Sequence, residues 1–284
     1  MRVLFISVNT ESINMPTLPL GLACVAAATR RAGHQVKLID LTSKKDLRDV
    51  LRAALKTFYP EIIAIGVRNI DDQRMVGTQF FLGQLKEVVN DCRASTKAPI
   101  ILGGAGYSIY PESVLAYLGA DMGIKGEGEE VFPDLIGHLQ QGKDASEIPG
   151  LYLPDLGTKA GNQFIKDLDL LSFPDEQLWH VSDLVNQKDT WIPLQTRRGC
   201  PMDCSYCSTA RIEGRKRREH SPKAVVEMIA RHVKGGFNRF YFTDNTFNIP
   251  VSYAAEICQR LLALKMELSW MCIVYPCDME EFLV

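Results

Sequence analysis

The strongest constraint on this chain is an alternation of apolar runs with amphipathic ones. Residues 2–8 (RVLFISV) are a strand-like run. Residues 20–32 then space their apolar side chains as a helix does, stopping at Gly33. The pattern repeats with a strand at 36–41, a helix at 46–58 ended by Pro60, and a strand at 62–67 (IIAIGV). A helix over 78–92 leads to a strand at 99–102 that runs into Gly103-Gly104. A short helix at 111–118 precedes a strand at 121–124, and Gly126-Glu127-Gly128-Glu129 opens a last helix reaching about 139. Strand and helix alternating in this way predict an α/β, doubly wound parallel sheet, a Rossmann-like domain over residues 1–141.

Such sheets take ligands in the crevice beyond the carboxyl ends of their strands. Asn9, Thr10, Gly103, Gly104, Gly126, Glu127 and Gly128 fall at that edge and are candidate cofactor-binding residues. The glycines there either let a ligand approach the backbone or simply make tight turns. Glu127 and Glu129 are expected to accept hydrogen bonds from backbone amides at the helix start. No Gly-x-Gly-x-x-Gly follows the first strand, which argues against a nicotinamide or flavin.

Periodicity fades over 142–188, where Pro149, Pro154, Gly157, Gly161 and Pro174 suggest a linker with one hairpin around 151–164. From 189 the pattern resumes with strands at 191–196, 239–242 and 268–274. Two helices lie between them, the first capped by Ser221-Pro222 and running to 234, the second over 252–264. Three strands cannot close a barrel, so residues 189–284 read as the N-terminal half of a partial barrel that continues in a longer protein.

Composition narrows the class. Of 284 residues, 46% are hydrophobic and 23% charged, enough for two cores, and a net charge of −2 supplies no positive field for nucleic acid or an anionic membrane. The most apolar stretch, 18–28, contains Pro19 and stops at Arg30, short of a membrane span. Residues 1–8 lack the basic lead-in and cleavage site of an export signal. A cytoplasmic protein is expected, its eight cysteines thiols rather than disulfides. Cys24, Cys92, Cys258, Cys272 and Cys277 are scattered, and Cys24, Cys92 and Cys272 read as packing residues.

The other three thiols carry chemistry. Cys200-Pro-Met-Asp-Cys204-Ser-Tyr-Cys207 places them within eight residues on a loop just past a strand. Soft sulfur ligands select iron–sulfur clusters, zinc or Cu(I). A structural zinc site wants four protein ligands, and His220 is the nearby fourth. Three cysteines also suit a four-iron cluster with one iron left open, and the bland alternative is three unrelated buried thiols. The basic run Arg211, Arg215, Lys216, Arg217 and Arg218 reads as a solvated face, or else as charge for a substrate carboxylate or phosphate. Asp244 and Asn245 end a strand on the same face, either as functional groups or as a cap.

C-x3-C-x-aromatic-C after Gly199 resembles the signature of the radical S-adenosylmethionine (radical SAM) family. The resemblance implies that Cys200, Cys204 and Cys207 ligate three irons of a [4Fe-4S] cluster and that SAM chelates the fourth. Reductive cleavage of SAM would then give a 5′-deoxyadenosyl radical. It also implies that Phe242-Thr243-Asp244-Asn245 lies by the SAM methionine and Tyr206 near the adenine. The first half resembles the cobalamin-binding domain of the B12-dependent subclass. The matching pieces are Leu18-Pro-Leu-Gly-Leu22, Gly33-His34-Gln35-Val36, Asp40, Gly103-Gly104 and Gly126-Glu-Gly-Glu129, with Ile148-Pro-Gly150 and Phe173-Pro-Asp175 in the linker. One departure is the absent Asp-x-His-x-x-Gly loop. His34 reads as a turn residue, so cobalt would lack a histidine from the protein, and some relatives keep the domain without using cobalamin.

The implied function is a cobalamin-dependent methyltransferase acting on an unactivated carbon or phosphorus centre. The alternative is the same architecture catalysing cyclisation, oxidation or rearrangement without methyl transfer. A non-catalytic cobalamin- or zinc-binding module is the rival from another class. A methylthiotransferase fits less well, because Cys24 and Cys92 do not cluster by spacing. Expected partners are a small-molecule or peptide substrate and an electron donor such as flavodoxin or ferredoxin, with no membrane and no nucleic acid.

Overall fold

In a computed structural model the described residues are 1–8, 18–41, 46–174, 176–179 and 190–276. The first half is a six-stranded sheet of order β2-β1-β3-β4-β5-β6. Its strands are β1 (Arg2–Ser7), β2 (Gln35–Asp40), β3 (Ile62–Gly66), β4 (Ile100–Gly103), β5 (Met122–Ile124) and β6 (Leu151–Tyr152). The first five run parallel, with the topological switch point between β1 and β3. The hairpin expected around 151–164 is present only as a short reversal. β6 pairs antiparallel with β5 and makes the sheet mixed, while a tight turn closes Leu153 on Gly157.

The helices are α1 (Leu20–Arg31), α2 (Leu47–Phe58), α3 (Leu82–Ser95), α4 (Ala105–Ile109), α5 (Pro111–Leu118) and α6 (Val131–Gln141). Successive strand residues face opposite layers. Val3 and Phe5 join α1 and α6, with Ala26, Phe132 and Leu135, whereas Leu4 and Ile6 join Leu51, Leu55, Val89 and Leu115 on the other face. Pro111 at the first turn of α5 and Gly119 at φ 69° beyond its end mark the boundaries the sequence predicts. Two helix starts move. Residues 78–81 belong to a loop whose turn is tied by Arg74 and Gln79 amides donating to Asp72 Oδ1, so α3 starts at Leu82. The helix after Gly126 starts at Val131, because Glu127 and Glu129 are turned towards the second half instead of capping it.

The second half holds α7 (Glu176–Trp179), β7 (Ile192–Leu194), β8 (Arg197–Arg198), α8 (Thr209–Glu213), β9 (Arg218–Glu219), α9 (Pro222–Lys234), β10 (Arg239–Phe242), α10 (Val251–Ala263) and β11 (Ser269–Cys272). The expected three parallel strands form a sheet of order β11-β10-β7, and β8 pairs with β9 as a short antiparallel ribbon. Ser221 caps α9 as its sequence predicts, its Oγ accepting the Ala224 amide at 3.2 Å. The apolar layer over α1 and α6 continues without a break into Ile192, Leu194, Phe240 and Ile257. The two halves therefore share this layer of core, while the cluster on the other face of the first sheet belongs to the first half. Among the described residues no helix is long and apolar enough to cross a membrane.

Candidate functional site

The cysteine loop begins where β8 ends. Gly199 has φ 83°, and a Cβ there would lie 2.2 Å from the Lys216 carbonyl oxygen, so only glycine fits. The Cys200 amide donates to Gly214 O at 3.1 Å, and the Gly199 amide donates to Glu213 Oε2 at 3.1 Å. A turn from Cys204 O to the Cys207 amide, 3.1 Å long, shapes the loop tip. Cys200 is buried, Cys204 half-buried and Cys207 exposed, and the Tyr206 side chain stands in solvent. The Cys207 thiol donates to Thr209 Oγ1 at 3.3 Å, and Thr209 Oγ1 donates to Asn245 Oδ1 at 3.4 Å. Asn245 therefore borders the loop. Among the described residues no three His, Cys, Asp or Glu side chains already converge on a metal-sized point. The donor set nonetheless fits an iron–sulfur centre, being three thiols within eight residues of one loop.

Asp244 does something other than face SAM. Its carboxylate is buried, with Oδ1 accepting the Thr196 and Arg197 amides at 2.8 and 3.0 Å and Oδ2 accepting the Thr196 hydroxyl at 2.6 Å. Burial pushes its carboxyl up, and the donors from Thr196 and the charge of Arg197 oppose that rise. Asp244 thus fastens the end of β10 to the residues that lead into the cysteine loop. His220, the possible fourth zinc ligand, is also committed elsewhere. It is buried, with Nδ1 3.2 Å from Asp169 Oδ1 and its ring centroid 4.7 Å from that of Phe173. Burial lowers its pKa to about 4.

Neighbours along a strand point to opposite sides, and here that sends two arginines in opposite directions. Arg197 reaches into the second half, donating to the carbonyls of Thr246 and Phe247 at 2.6 Å and to that of Ile249, over the Tyr253 ring. Arg198 reaches into the first half. Its Nη2 binds Glu129 Oε1 and its Nη1 lies 3.6 Å from Glu127 Oε1. Arg218 completes the network, with Nη1 2.7 and 2.8 Å from the two oxygens of Glu127. Glu127 Oε2 also accepts the Ile165 amide at 2.7 Å. Two corrections follow. The glutamates serve as ion partners across the halves and not as helix-start acceptors, and Arg218 leaves the solvated run, of which Arg211, Arg215 and Lys216 are exposed. Burial alone would raise the Glu129 carboxyl, but the charge and hydrogen bond of Arg198 outweigh it and hold it below the usual range. Cys24, buried beside this pair, is pushed up to about 12, first by burial and then by Glu129.

A partly open cleft of about 200 Å³ lies beyond the carboxyl ends of the parallel strands. Gly103, Gly104, Gly126, Glu127 and Gly128 line it, as the sequence predicts, over an apolar floor that includes Phe5, Leu22, Val25 and Phe132. Asn9 and Thr10 lie outside the described residues. The glycines differ in role. A Cβ on Gly104 (φ 105°) would sit 2.7 Å from Val67 O, so that glycine serves packing, while one on Gly103 would meet nothing nearer than 3.8 Å. Gly103 therefore leaves its backbone open to a ligand. The second half supplies Gln195, Arg198 and Glu213 to the same cleft, none of which sequence reasoning singled out. The one available signal was the charged pair Arg197-Arg198 between the strand expected at 191–196 and Gly199. None of the described lining residues is a histidine. His34 sits at the opposite edge of the sheet, its Nδ1 3.2 Å from the Met1 amine.

Comparison with known proteins matches each half separately. The B12 binding domain family matches residues 6–136 and the Radical SAM superfamily matches residues 194–283. A tryptophan 2-C-methyltransferase of Streptomyces laurentii is 23% identical, covering 90% of this chain and 51% of its own length. An anaerobic magnesium-protoporphyrin IX monomethyl ester cyclase of Rubrivivax gelatinosus is 29% identical, covering 95% of this chain and 50% of its own length. The chain thus spans about half the length of these relatives. The radical SAM methyltransferase TsrM of Kitasatospora setae, solved with cobalamin and a [4Fe-4S] cluster bound, superposes with a TM-score of 0.82 at 21% identity. That match covers 99% of this chain and 57% of TsrM.

Proposed function

Because this chain belongs to the family that joins a B12-binding domain to a radical SAM domain, we propose that it is the cofactor-binding part of a cobalamin-dependent radical SAM methyltransferase. The observation that carries this reading is the shared cleft, in which the glycine edge of a doubly wound sheet faces residues that hold the cysteine loop. Cys200, Cys204 and Cys207 would hold the cluster, while Gly103, Gly126 and Gly128, with the apolar floor, would hold a corrinoid. When bound, these groups supply reductive cleavage of SAM to a 5′-deoxyadenosyl radical and a methyl group on cobalt.

The chain's own residues do the positioning. Gly199 and Asp244 fix where the loop leaves β8, and the apolar floor keeps water from that side of the cleft. Asn245 and Tyr206 stand on the exposed side of the loop, where SAM would meet them. The reductant would be a small electron carrier such as flavodoxin or ferredoxin, the substrate a small molecule or peptide and the compartment the reducing cytoplasm. The cyclase relative favours a second reading in which the same machinery forms a ring without methyl transfer.

The test is metal analysis of the whole protein purified without oxygen, followed by turnover with methyl-labelled SAM. Iron with cobalt and labelled product supports the methyltransferase. Iron and 5′-deoxyadenosine without labelled product supports the cyclase-type reading. Zinc in place of iron sinks both.

A further inference from the structure

The buried Tyr107 hydroxyl has no hydrogen-bond partner, but it is packed against Gly123 in the core. The exposed tip at Met75 and Val76 shows nothing about what would cover it. A polar chain between the two cofactor regions carries more.

The chain starts in the first half and ends at a cysteine. Glu129 Oε1 binds Arg198, and Arg198 Nε donates to Gln195 Oε1 at 3.2 Å. Gln195 Nε2 donates to Glu213 Oε1 at 2.8 Å. The other oxygen of Glu213 accepts the Gly199 amide at 3.1 Å and a long contact of 3.5 Å from Asn245 Nδ2. Asn245 then leads through Thr209 to Cys207. Glu129, Arg198, Gln195 and Glu213 all line the cleft, so a ligand there touches the same groups that hold the amide next to Cys200.

Gln195 is the pivot. Its amide has one acceptor and one donor end, and the guanidinium and the carboxylate on either side fix which end faces which. It is also the only uncharged side chain between Arg198 and Glu213 in this chain of contacts, and removing it strands neither neighbour. Arg198 keeps Glu129, and Glu213 keeps the Gly199 amide.

We propose that Gln195 is a positioning residue that couples occupancy of the cleft to the conformation of the cysteine loop. This rests on the cofactor reading above. Coupling between sites is reciprocal, so a formed cluster must then tighten the cleft for its ligand by the same factor that the ligand favours the cluster-ready loop.

The probe is hydroxocobalamin, titrated without oxygen into the whole protein before and after reconstitution with iron and sulfide. In the wild type the cluster should tighten binding by about 5-fold or more, the lower end of ordinary allosteric coupling. Because Gln195 lines the cleft, Gln195→Met should shift hydroxocobalamin affinity by the same factor with and without the cluster, so that the ratio of the two affinities falls to about one. A second measurement needs no iron. Hydroxocobalamin should slow amide hydrogen exchange at Gly199 and Cys200 in the wild type and leave it unchanged in Gln195→Met. A wild-type ratio of one, or a ratio that survives the substitution, overturns the coupling while leaving the cofactors in place. A wild type that binds no hydroxocobalamin overturns the cofactor reading itself.

Discussion

Replacing Arg198 by Met tests whether the ion network across the two halves is understood. Arg198 and Glu129 have side chains 11% and 5% exposed, and their contact is direct. Deleting the guanidinium leaves a buried carboxylate without its main partner, which costs about 3–5 kcal/mol. Removing both charges, as Arg198→Met with Glu129→Met, leaves no buried charge unpaired, since Glu127 keeps Arg218, and should return the protein to within about 1 kcal/mol of the wild type. Urea unfolding followed by circular dichroism reads both numbers. The pH dependence supplies a second check. In the wild type the Glu129 carboxyl is depressed on folding, so its contribution is present above the unfolded value of about 4.3 and is lost as pH falls through the folded one. In Arg198→Met the charge and hydrogen bond of Arg198 are gone, and burial, opposed only by the backbone amide of Glu129 and the charge of Arg218, raises that carboxyl. The penalty is then full at neutral pH and is relieved as pH falls through the raised value. The gap between wild type and variant should therefore narrow on acidification. A single variant costing under about 1 kcal/mol at neutral pH, a double variant as unstable as the sum of the singles, or a gap that widens in acid would refute the reasoning.

The other expectations can be checked as directly. Replacing any one of Cys200, Cys204 or Cys207 by Ala should reduce 5′-deoxyadenosine formation from SAM to background while far-ultraviolet circular dichroism stays native. Gly199→Ala puts a Cβ 2.2 Å from Lys216 O at φ 83°, so thermal unfolding should show a loss above about 2 kcal/mol, with iron loading lost alongside. His220 has a folded pKa of about 4 against an unfolded value of about 6.5. The unfolded chain binds the proton first, so stability is present above pH 6.5 and falls by about 3 kcal/mol as pH drops to about 4. His220→Gln should flatten that part of a plot of Tm against pH, and an unchanged slope would place the titration elsewhere.

What was legible from the amino acids alone is whatever depends on neighbours in sequence. The period of apolar residues specifies strands and helices, because each element buries one face or two, and β1 to β5 follow from it. Glycines and prolines at element ends do the same for boundaries, as at Pro111 and Gly119. Three thiols within eight residues announce their chemistry, since a loop that short keeps them together whatever surrounds it. Tertiary structure decided the rest. Glu127 lies 91 positions from Arg218 and Glu129 lies 69 from Arg198, and no local pattern distinguishes a charge that meets a buried partner from one that stays in water. Asp244 looked like a ligand-facing residue because it ends a strand on the right face. Only the fold shows that its oxygens are taken by Thr196 and Arg197. The cleft, too, is made by chain segments that meet only after folding, and so Gln195 and Glu213 had no signature of their own. Local periodicity records the shape each segment prefers. Which polar groups lose their water is settled when segments distant in sequence pack together, and the site's electrostatics are settled at the same moment.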